Sequence, residues 1–198
     1  MALPNTLRSI WQRLLLRGVH YSDRHGQLDL LYRMPDPWQL DCEKEHYRFD
    51  TTNAIIRREF GHPTRVIEIG CGEGVQSARL MEVCNTLHGI DISPTAVSRA
   101  RRRCPSGTFE AGDISTGFKP ALAEPADLVV ACEVIYYVKD PTQFLDTLSS
   151  LGRCCLASYY TQHRARLDPV VARHSDAGNE VIRYAGTEWV VAWWRNGH

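Results

Sequence analysis

The stretch "VIEIGCGEG", residues 66–74, decides which fold the rest of the sequence has to complete. A short apolar run ends in a turn with glycine at three alternate positions, Gly70, Gly72 and Gly74. Glycine lets the backbone turn sharply and approach a ligand closely. A helical pattern begins near Val75, so free backbone N–H groups lie beside the turn. This order of strand, glycine turn and helix predicts a nucleotide-binding loop.

Apolar strands alternate with amphipathic helices from residue 65 onward. The predicted strands are RVIEIG (65–70), LHGIDIS (87–93), GTFEAGDIS (107–115), ADLVVACEVIYYV (126–138) and RCCLASYY (153–160). Such alternation is typical of a parallel sheet with helices on both faces. The last two runs, EVIRYAG and EWVVAWWRN, flank a turn with glycine and predict an antiparallel hairpin on the sheet edge. We expect one α/β domain with a seven-stranded, mostly parallel sheet.

The segment before the glycine turn has a helical character of its own. Five apolar residues near the N-terminus share one helical face and predict an amphipathic helix packed on the domain or on a partner: Leu7, Ile10, Trp11, Leu14 and Leu15. A polar, turn-rich stretch ends in "MPDPW" (34–38), and residues 43–61 form a helical pattern that Gly61 ends. We expect residues 1–63 to form a helical cap within the same domain as a core at 64–198.

Composition and charge exclude several classes of function. The 198 residues carry 23 basic and 23 acidic side chains, so no basic surface for a nucleic-acid partner is predicted. No run approaches the ~20 apolar residues of a membrane span. Seven cysteines form no C-x-x-C pair and no zinc spacing, which predicts reduced thiols, a cytoplasmic location and no metal site. The oligomeric state is left open.

Two acids follow the next two predicted strands. Asp91 ends the second strand, where a carboxylate can accept hydrogen bonds from both ribose hydroxyls of an adenosine. Asp113 follows the third strand and is placed to accept from an adenine amino group, with Ile92 and Ile114 as flat apolar walls. The glycine spacing departs from the dinucleotide fingerprint G-x-G-x-x-G, and Glu73 would oppose a diphosphate. An NAD-linked oxidoreductase therefore remains only an alternative.

The glycine turn and the two acids together resemble the class I S-adenosylmethionine (SAM) dependent methyltransferases over roughly residues 64–160. The resemblance implies a Rossmann-like methyltransferase fold and SAM as the cofactor. The predicted cofactor-binding residues in this range are Glu68, Gly70, Cys71, Gly72, Gly74, Asp91, Ile92, Asp113, Ile114 and Cys132, and a narrower resemblance given below adds Trp38.

The end of the fourth strand, "CEVIYYVKDP", is expected to face the reactive end of the cofactor. Methyl transfer from a sulfonium is an in-line displacement that needs positioning, a dry site and a free lone pair. Tyr136 and Tyr137 offer hydroxyls for orientation and electron-rich ring faces. Glu133 can accept a hydrogen bond from the acceptor or act as its base. These three residues are the predicted catalytic residues.

A narrower resemblance rests on "DPWQLD" (36–41), a following helix with Glu45 and Tyr47, and "EVIYYVKD". Together these look like the NodS-type N-methyltransferases of nodulation-factor synthesis. The resemblance implies that Trp38 belongs to a cap over the cofactor and that the acceptor is the amine of a de-N-acetylated chitooligosaccharide. The sequence lacks the usual Pro-Gly-Gly in "SSLGRCCLASYY". The predicted function is methyl transfer to a small-molecule amine.

Three polar residues are candidates for contact with the acceptor: His46, His163 and Arg164. The same site is compatible with an O-methyltransferase, because Glu133, His46 or His163 would supply the base that a hydroxyl needs. A non-catalytic SAM-binding or scaffold subunit is a further alternative. Methylation of nucleic-acid bases is not expected, because the fourth strand lacks an N-P-P-Y type motif.

Overall fold

The computed structural model describes residues 25–118, 120, 124–174 and 178–196. The predicted N-terminal amphipathic helix lies outside the described residues.

Seven strands in the described part of the chain form a single sheet. They are β1 (Arg65–Ile69), β2 (Thr86–Asp91), β3 (Thr108–Ala111), β4 (Ala126–Cys132), β5 (Gly152–Tyr160), β6 (Gly178–Tyr184) and β7 (Thr187–Arg195). Their order across the sheet is β3-β2-β1-β4-β5-β7-β6. Strands β1 to β5 run parallel, whereas β7 is antiparallel to both β5 and β6. The predicted fold class, including the C-terminal antiparallel hairpin, is confirmed.

Helices connect the strands and cover both faces of the sheet. The described helices are α1 (His25–Leu31), α2 (Glu43–Phe60), α3 (Val75–Leu80), α4 (Pro94–Arg103), α5 (Pro141–Leu151) and α6 (Arg164–Val171). Helix α2 ends at Gly61 as predicted, where φ is +72° and the N–H donates to the Arg57 carbonyl. Helix α4 begins after Ser93, whose hydroxyl accepts from the Ala96 N–H at 3.2 Å. Short 3-10 turns lie at Ile114–Thr116, Ile135–Tyr137 and Thr161–His163.

Several elements differ from the sequence prediction. Strand β4 was predicted to reach Val138 but ends at Cys132, because Glu133 adopts a left-handed conformation with φ of +60°. Helix α1 lies in a stretch that was predicted to form turns. Its buried residues Leu28 and Leu31 pack against the Trp38 region, so tertiary packing holds this short helix.

The core has two layers because successive side chains on a strand point to opposite faces of the sheet. One layer packs against α5 and contains Ile67, Val129, Cys155 and Trp194. The other layer packs against α2 and α4 and contains Val66, Leu128, Leu156, Trp189 and Trp193. The tryptophan-rich strand β7 therefore contributes to the core on both faces.

Trp194 offers a test of how β7 is anchored. Its side chain is fully buried, its Nε1 donates to Ser149 Oγ at 3.0 Å, and its ring stacks on His174. We expect Trp194→Ala to lower the free energy of unfolding by about 3–5 kcal/mol, because it leaves a cavity. Trp194→Phe keeps a ring but loses the hydrogen bond to Ser149, so we expect a smaller loss of roughly 1–3 kcal/mol. Urea denaturation measures both, and wild-type stability in Trp194→Ala would contradict this packing.

Candidate functional site

A cavity of about 210 Å³ lies at the carboxyl ends of strands β1 to β5. It includes residues that follow the neighbouring strands β1 and β4, where the strand order reverses. Parallel α/β sheets bind ligands at this switch point, because the helix N-termini and the loops after the strands converge there. Residues of α1, α2 and the segment between them complete the cavity wall.

The glycine turn after β1 depends on a backbone that other residues adopt poorly. Gly70, Gly72 and Gly74 all have positive φ, at +76°, +53° and +80°. A Cβ atom at Gly70 would overlap Cγ2 of Val134, and one at Gly74 would lie 3.1 Å from the Cα of Ala100. Gly70, Cys71 and Gly72 line the cavity, whereas Gly74 packs the turn against α4.

Asp91 joins the glycine turn to the end of β2. One carboxylate oxygen accepts from the Gly72 N–H and the other from the Ser93 N–H, each at 2.9 Å. The carboxylate is buried and lines the cavity beside Ile92. It is therefore held rigidly at the place that the sequence assigned to a ribose contact.

Asp113 both begins the 3-10 turn after β3 and lines the cavity. Its Oδ1 accepts from the Ser115 N–H at 2.9 Å and so begins the 3-10 turn after β3. The side chain also lines the cavity together with Ile92 and the buried Ile114. The structure thus brings Asp91, Asp113 and the two isoleucines to the same end of one cavity.

Glu68 lies beneath the glycine turn in the last part of β1. Its carboxylate accepts a hydrogen bond from Ser77 Oγ at 2.5 Å and lines the cavity. Burial raises the pKa of Glu68 to about 7, and the hydrogen bond from Ser77 opposes the shift. This carboxyl group therefore changes its protonation near neutral pH.

Glu73 does not face the cavity, which corrects the electrostatic argument made from the sequence. Its carboxylate pairs with the Arg99 guanidinium and accepts from the Asp36 N–H at 2.8 Å. The neighbouring cation offsets its charge, so repulsion of a diphosphate by Glu73 is not a feature of this site. Glu73 instead joins the "MPDPW" segment to the glycine turn.

The segment between α1 and α2 covers one side of the cavity with aromatic rings. Trp38 lines the cavity, and its Nε1 donates to the Tyr32 hydroxyl at 3.1 Å. Its ring lies 5.8 Å from the Tyr137 ring, centroid to centroid. Trp38 thus connects the cap segment to the loop after β4.

Glu133 and its neighbours form the opposite end of the cavity. The carboxylate accepts from Ser158 Oγ at 2.7 Å and from the Tyr136 hydroxyl at 3.0 Å. Burial raises the pKa of Glu133, whereas Arg48 and the two hydrogen bonds lower it. Burial, followed by the charge of Glu133, raises the pKa of Tyr137 well above its usual value, so that phenol stays protonated.

The remaining sequence predictions occupy different places. Cys132 lines the cavity, but His46, His163 and Arg164 do not. His46 bonds Asp41 at the surface, and Arg164 pairs with Asp168 along the exposed side of α6. His163 stacks on the Tyr136 ring at 4.7 Å between centroids, so it contacts a residue of the cavity wall.

Sequence reasoning missed two charged residues of the cavity wall. Glu45 and Arg48 are buried, line the cavity and come from α2, far from the glycine turn in sequence. Gln76 of α3 joins them. Glu45 belongs to the helix on which the NodS-type resemblance rests, but no local signal in the sequence marks the place of Glu45 or of Arg48 in the cavity.

Within the described ranges, no cluster of three His, Cys, Asp or Glu side chains is arranged to hold a metal ion. Among the helices in those same ranges, none has the length and apolar character needed to cross a membrane. All seven cysteines are free.

The chain is similar in sequence to several methyltransferases and nodulation proteins. Nodulation protein S of Bradyrhizobium diazoefficiens is 27% identical over 130 residues, which cover 65% of this chain and 62% of that protein. A ubiquinone biosynthesis O-methyltransferase of Caulobacter sp. is 30% identical over 95 residues, which cover 44% of this chain and 36% of that protein. The matches to three nodulation proteins S span 49% to 62% of the length of those relatives.

A solved structure shares the fold. The N-methyltransferase NodS from Bradyrhizobium japonicum, in complex with S-adenosyl-L-homocysteine, superposes with a TM-score of 0.71 at 23% identity. The match covers 88% of this chain and 98% of that one. The family described as "Methyltransferase domain" matches residues 62–190, which is more than half of the sequence. The chain therefore belongs to the methyltransferase domain family.

Proposed function

We propose that the chain is a SAM-dependent methyltransferase that acts on a small-molecule amine. The observation that carries the proposal is a single cavity with two unlike ends. The glycine turn, Asp91 and Asp113 line one end, and Glu133 with Tyr137 lines the other. An adenosyl group suits the first end and a nucleophilic nitrogen suits the second.

The residues at the first end fit the cofactor. Asp91 would accept from the ribose hydroxyls and Asp113 from the adenine amino group, with Ile92 and Ile114 against the adenine faces. The remaining residues in the proposed cofactor site are Trp38, Glu68, Gly70, Cys71, Gly72, Gly74 and Cys132, of which Gly74 acts by shaping the turn. The SAH-bound neighbour NodS supports this assignment.

Residues at the second end position the acceptor. SAM supplies an electrophilic methyl group on sulfur. The acceptor nitrogen donates its lone pair to the methyl carbon as the carbon–sulfur bond breaks, and the electron pair of that bond stays on sulfur. Tyr137, protonated and adjacent to the cavity, donates a hydrogen bond that orients the acceptor, while Glu133 accepts from the amine. Tyr136 holds Glu133 in place. Alignment of the acceptor nitrogen with the carbon–sulfur bond therefore supplies most of the rate enhancement.

Methylation of a hydroxyl is the second candidate, and similarity to ubiquinone biosynthesis O-methyltransferases favours it. That reaction needs a base, and Glu133 has a raised pKa and a position in the cavity that suit it. His46 and His163 are less suited, because neither lines the cavity.

We further propose that residues 1–63 form a helical cap on the core at 64–198. Tyr32 and Trp38, which lie in the cavity wall, support this division. A cytoplasmic location is proposed because all seven thiols are free and several lie in the core.

The proposed reaction is tested by transfer of labelled methyl from SAM to a de-N-acetylated chitooligosaccharide. The fully acetylated oligomer is the matched control, because it differs only in lacking the free amine. We expect label in the first oligomer alone. Label in neither oligomer, with S-adenosylhomocysteine still bound, would contradict the acceptor assignment, and label in both would favour hydroxyl methylation.

Tyr137→Phe tests the positioning role of the phenol. The loss of one hydrogen bond made to the acceptor should lower kcat about tenfold or more. The affinity for S-adenosylhomocysteine should change much less, because the ring that packs against Trp38 remains. Tyr47→Phe is the control, since Tyr47 is exposed and lies outside the cavity. An unchanged rate in Tyr137→Phe would remove Tyr137 from the mechanism.

A further inference from the structure

Helix α2 inserts an ion pair into the cavity wall. Glu45 and Arg48 are 4% and 2% exposed, and Arg48 Nε donates to Glu45 Oε2 at 2.8 Å. Arg48 Nη1 donates to Gln76 Oε1 at 3.3 Å, and the guanidinium lies over the Phe49 ring. These contacts fix the guanidinium from three sides.

The charge on the cavity wall is unbalanced. Its charged lining residues, within the described part of the chain, are one cation, Arg48, and five carboxyl groups: Glu45, Glu68, Asp91, Asp113 and Glu133. A buried guanidinium is costly unless carboxylates compensate it. Burial disfavours the charge of Arg48, but the fields of Glu133 and Glu45 raise its pKa above the usual value. Arg48 therefore remains charged beside Glu133.

Arg48 and Glu133 line the same cavity, and their side chains hydrogen-bond to other residues. The Glu133 carboxylate accepts hydrogen bonds from Ser158 and Tyr136, whereas Arg48 donates to Glu45 and Gln76. The titratable and charged groups that face Glu133 are Glu45 and Arg48 of α2, Cys132 of β4, Tyr136 and Tyr137 after β4, and Tyr160 of β5. Arg48 is the one cation in that group.

We propose that Arg48 is a positioning residue whose charge keeps Glu133 ionised, so that Glu133 can accept a proton from an acceptor that enters as an ammonium ion. Glu45 holds the Arg48 guanidinium in place, and its negative charge partly offsets the attraction of Arg48 for the Glu133 carboxylate. This inference rests on the proposed function and extends it to the charge of the acceptor. The proton passes from the ammonium nitrogen to a Glu133 oxygen, which frees the nitrogen lone pair. That pair then forms the bond to the methyl carbon as described above, and Glu133 later releases its proton to water.

Two neutralising substitutions move the titration of Glu133 in opposite directions. Arg48 lowers the pKa of Glu133 and Glu45 raises it. We therefore expect Arg48→Gln to move the midpoint of the Glu133 titration to higher pH and Glu45→Gln to move that midpoint to lower pH. Loss of packing alone would not produce opposite shifts. Arg48→Lys is the matched control, because it keeps the charge and should leave the midpoint near that of the wild type.

The experiment is a pH titration of the full chain with ¹³C-labelled glutamate carboxyl groups, followed by NMR. The Glu133 resonance is assigned by its absence in Glu133→Gln, and S-adenosylhomocysteine binding confirms that each variant is folded. The rate of methyl transfer to the free amine is measured over the same pH range. On the acid limb of the pH–rate profile, we expect methyl transfer by Arg48→Gln to be about tenfold slower than by Arg48→Lys.

The outcomes separate this proposal from the proposed function. An unchanged Glu133 titration in Arg48→Gln overturns the role of Arg48 even when methyl transfer proceeds. If that variant instead binds S-adenosylhomocysteine at least about tenfold more weakly, Arg48 is a cofactor ligand. No transfer to any amine by the wild type overturns the proposed function and the ammonium step, whereas the opposite shifts in the titration would still establish the effect of Arg48 on Glu133.

Discussion

The two hydrogen bonds that Asp91 accepts from the Gly72 and Ser93 N–H groups are the constraint on which the site depends. They join the turn after β1 to the end of β2. The two strands are neighbours in the sheet, but helix α3 lies between them in the sequence. Ser93 in turn begins α4, and Ala100 of α4 packs against Gly74. The carboxylate thus fixes the glycine turn from the side on which the cavity opens. A ligand at this edge of the sheet meets a preorganised surface, so binding does not require the free energy of ordering the glycine turn.

The cap and the loop after β4 are held by polar contacts within the protein. Glu73, neutralised by Arg99, binds the backbone of Asp36 and so connects the cap segment to the glycine turn. Glu133 has a left-handed backbone, a conformation that costs a non-glycine residue about 1–3 kcal/mol. The hydrogen bonds from Ser158 and Tyr136 offset part of that cost. The strained residue is also the one that turns the chain out of β4 and into the cavity.

The fold was predictable because its signals are local and repeat along the chain. Asp91 and Asp113 each follow a parallel strand, and the carboxyl ends of parallel strands share one edge, so their order in sequence fixes their proximity in space. The end of β4 was not predictable, because an apolar run gives no sign of the positive φ at Glu133.

Residues that meet only through tertiary packing were hidden from sequence reasoning. Arg48 reaches the cavity because α2 packs against α3, and no spacing within the chain records that contact. Conversely, Arg164 follows the expected strand, but its pairing with Asp168 on α6 directs it away from the cavity. The position of a residue after a strand predicts the side of the sheet on which it lies, but the direction of its side chain depends on its partners.

We propose that the Asp91 end of the cavity binds an adenosyl cofactor without a diphosphate. Calorimetric titration with S-adenosylhomocysteine tests it most directly, on the wild type, on Asp91→Asn and on the surface control Asp50→Asn. We expect one site on the wild type and on the control. Binding should be weaker by about tenfold or more in Asp91→Asn, because the charge-assisted hydrogen bonds to the ribose are lost and the bonds that hold the glycine turn are weakened. Equal affinity in all three proteins, or binding of NAD in place of S-adenosylhomocysteine, would contradict it.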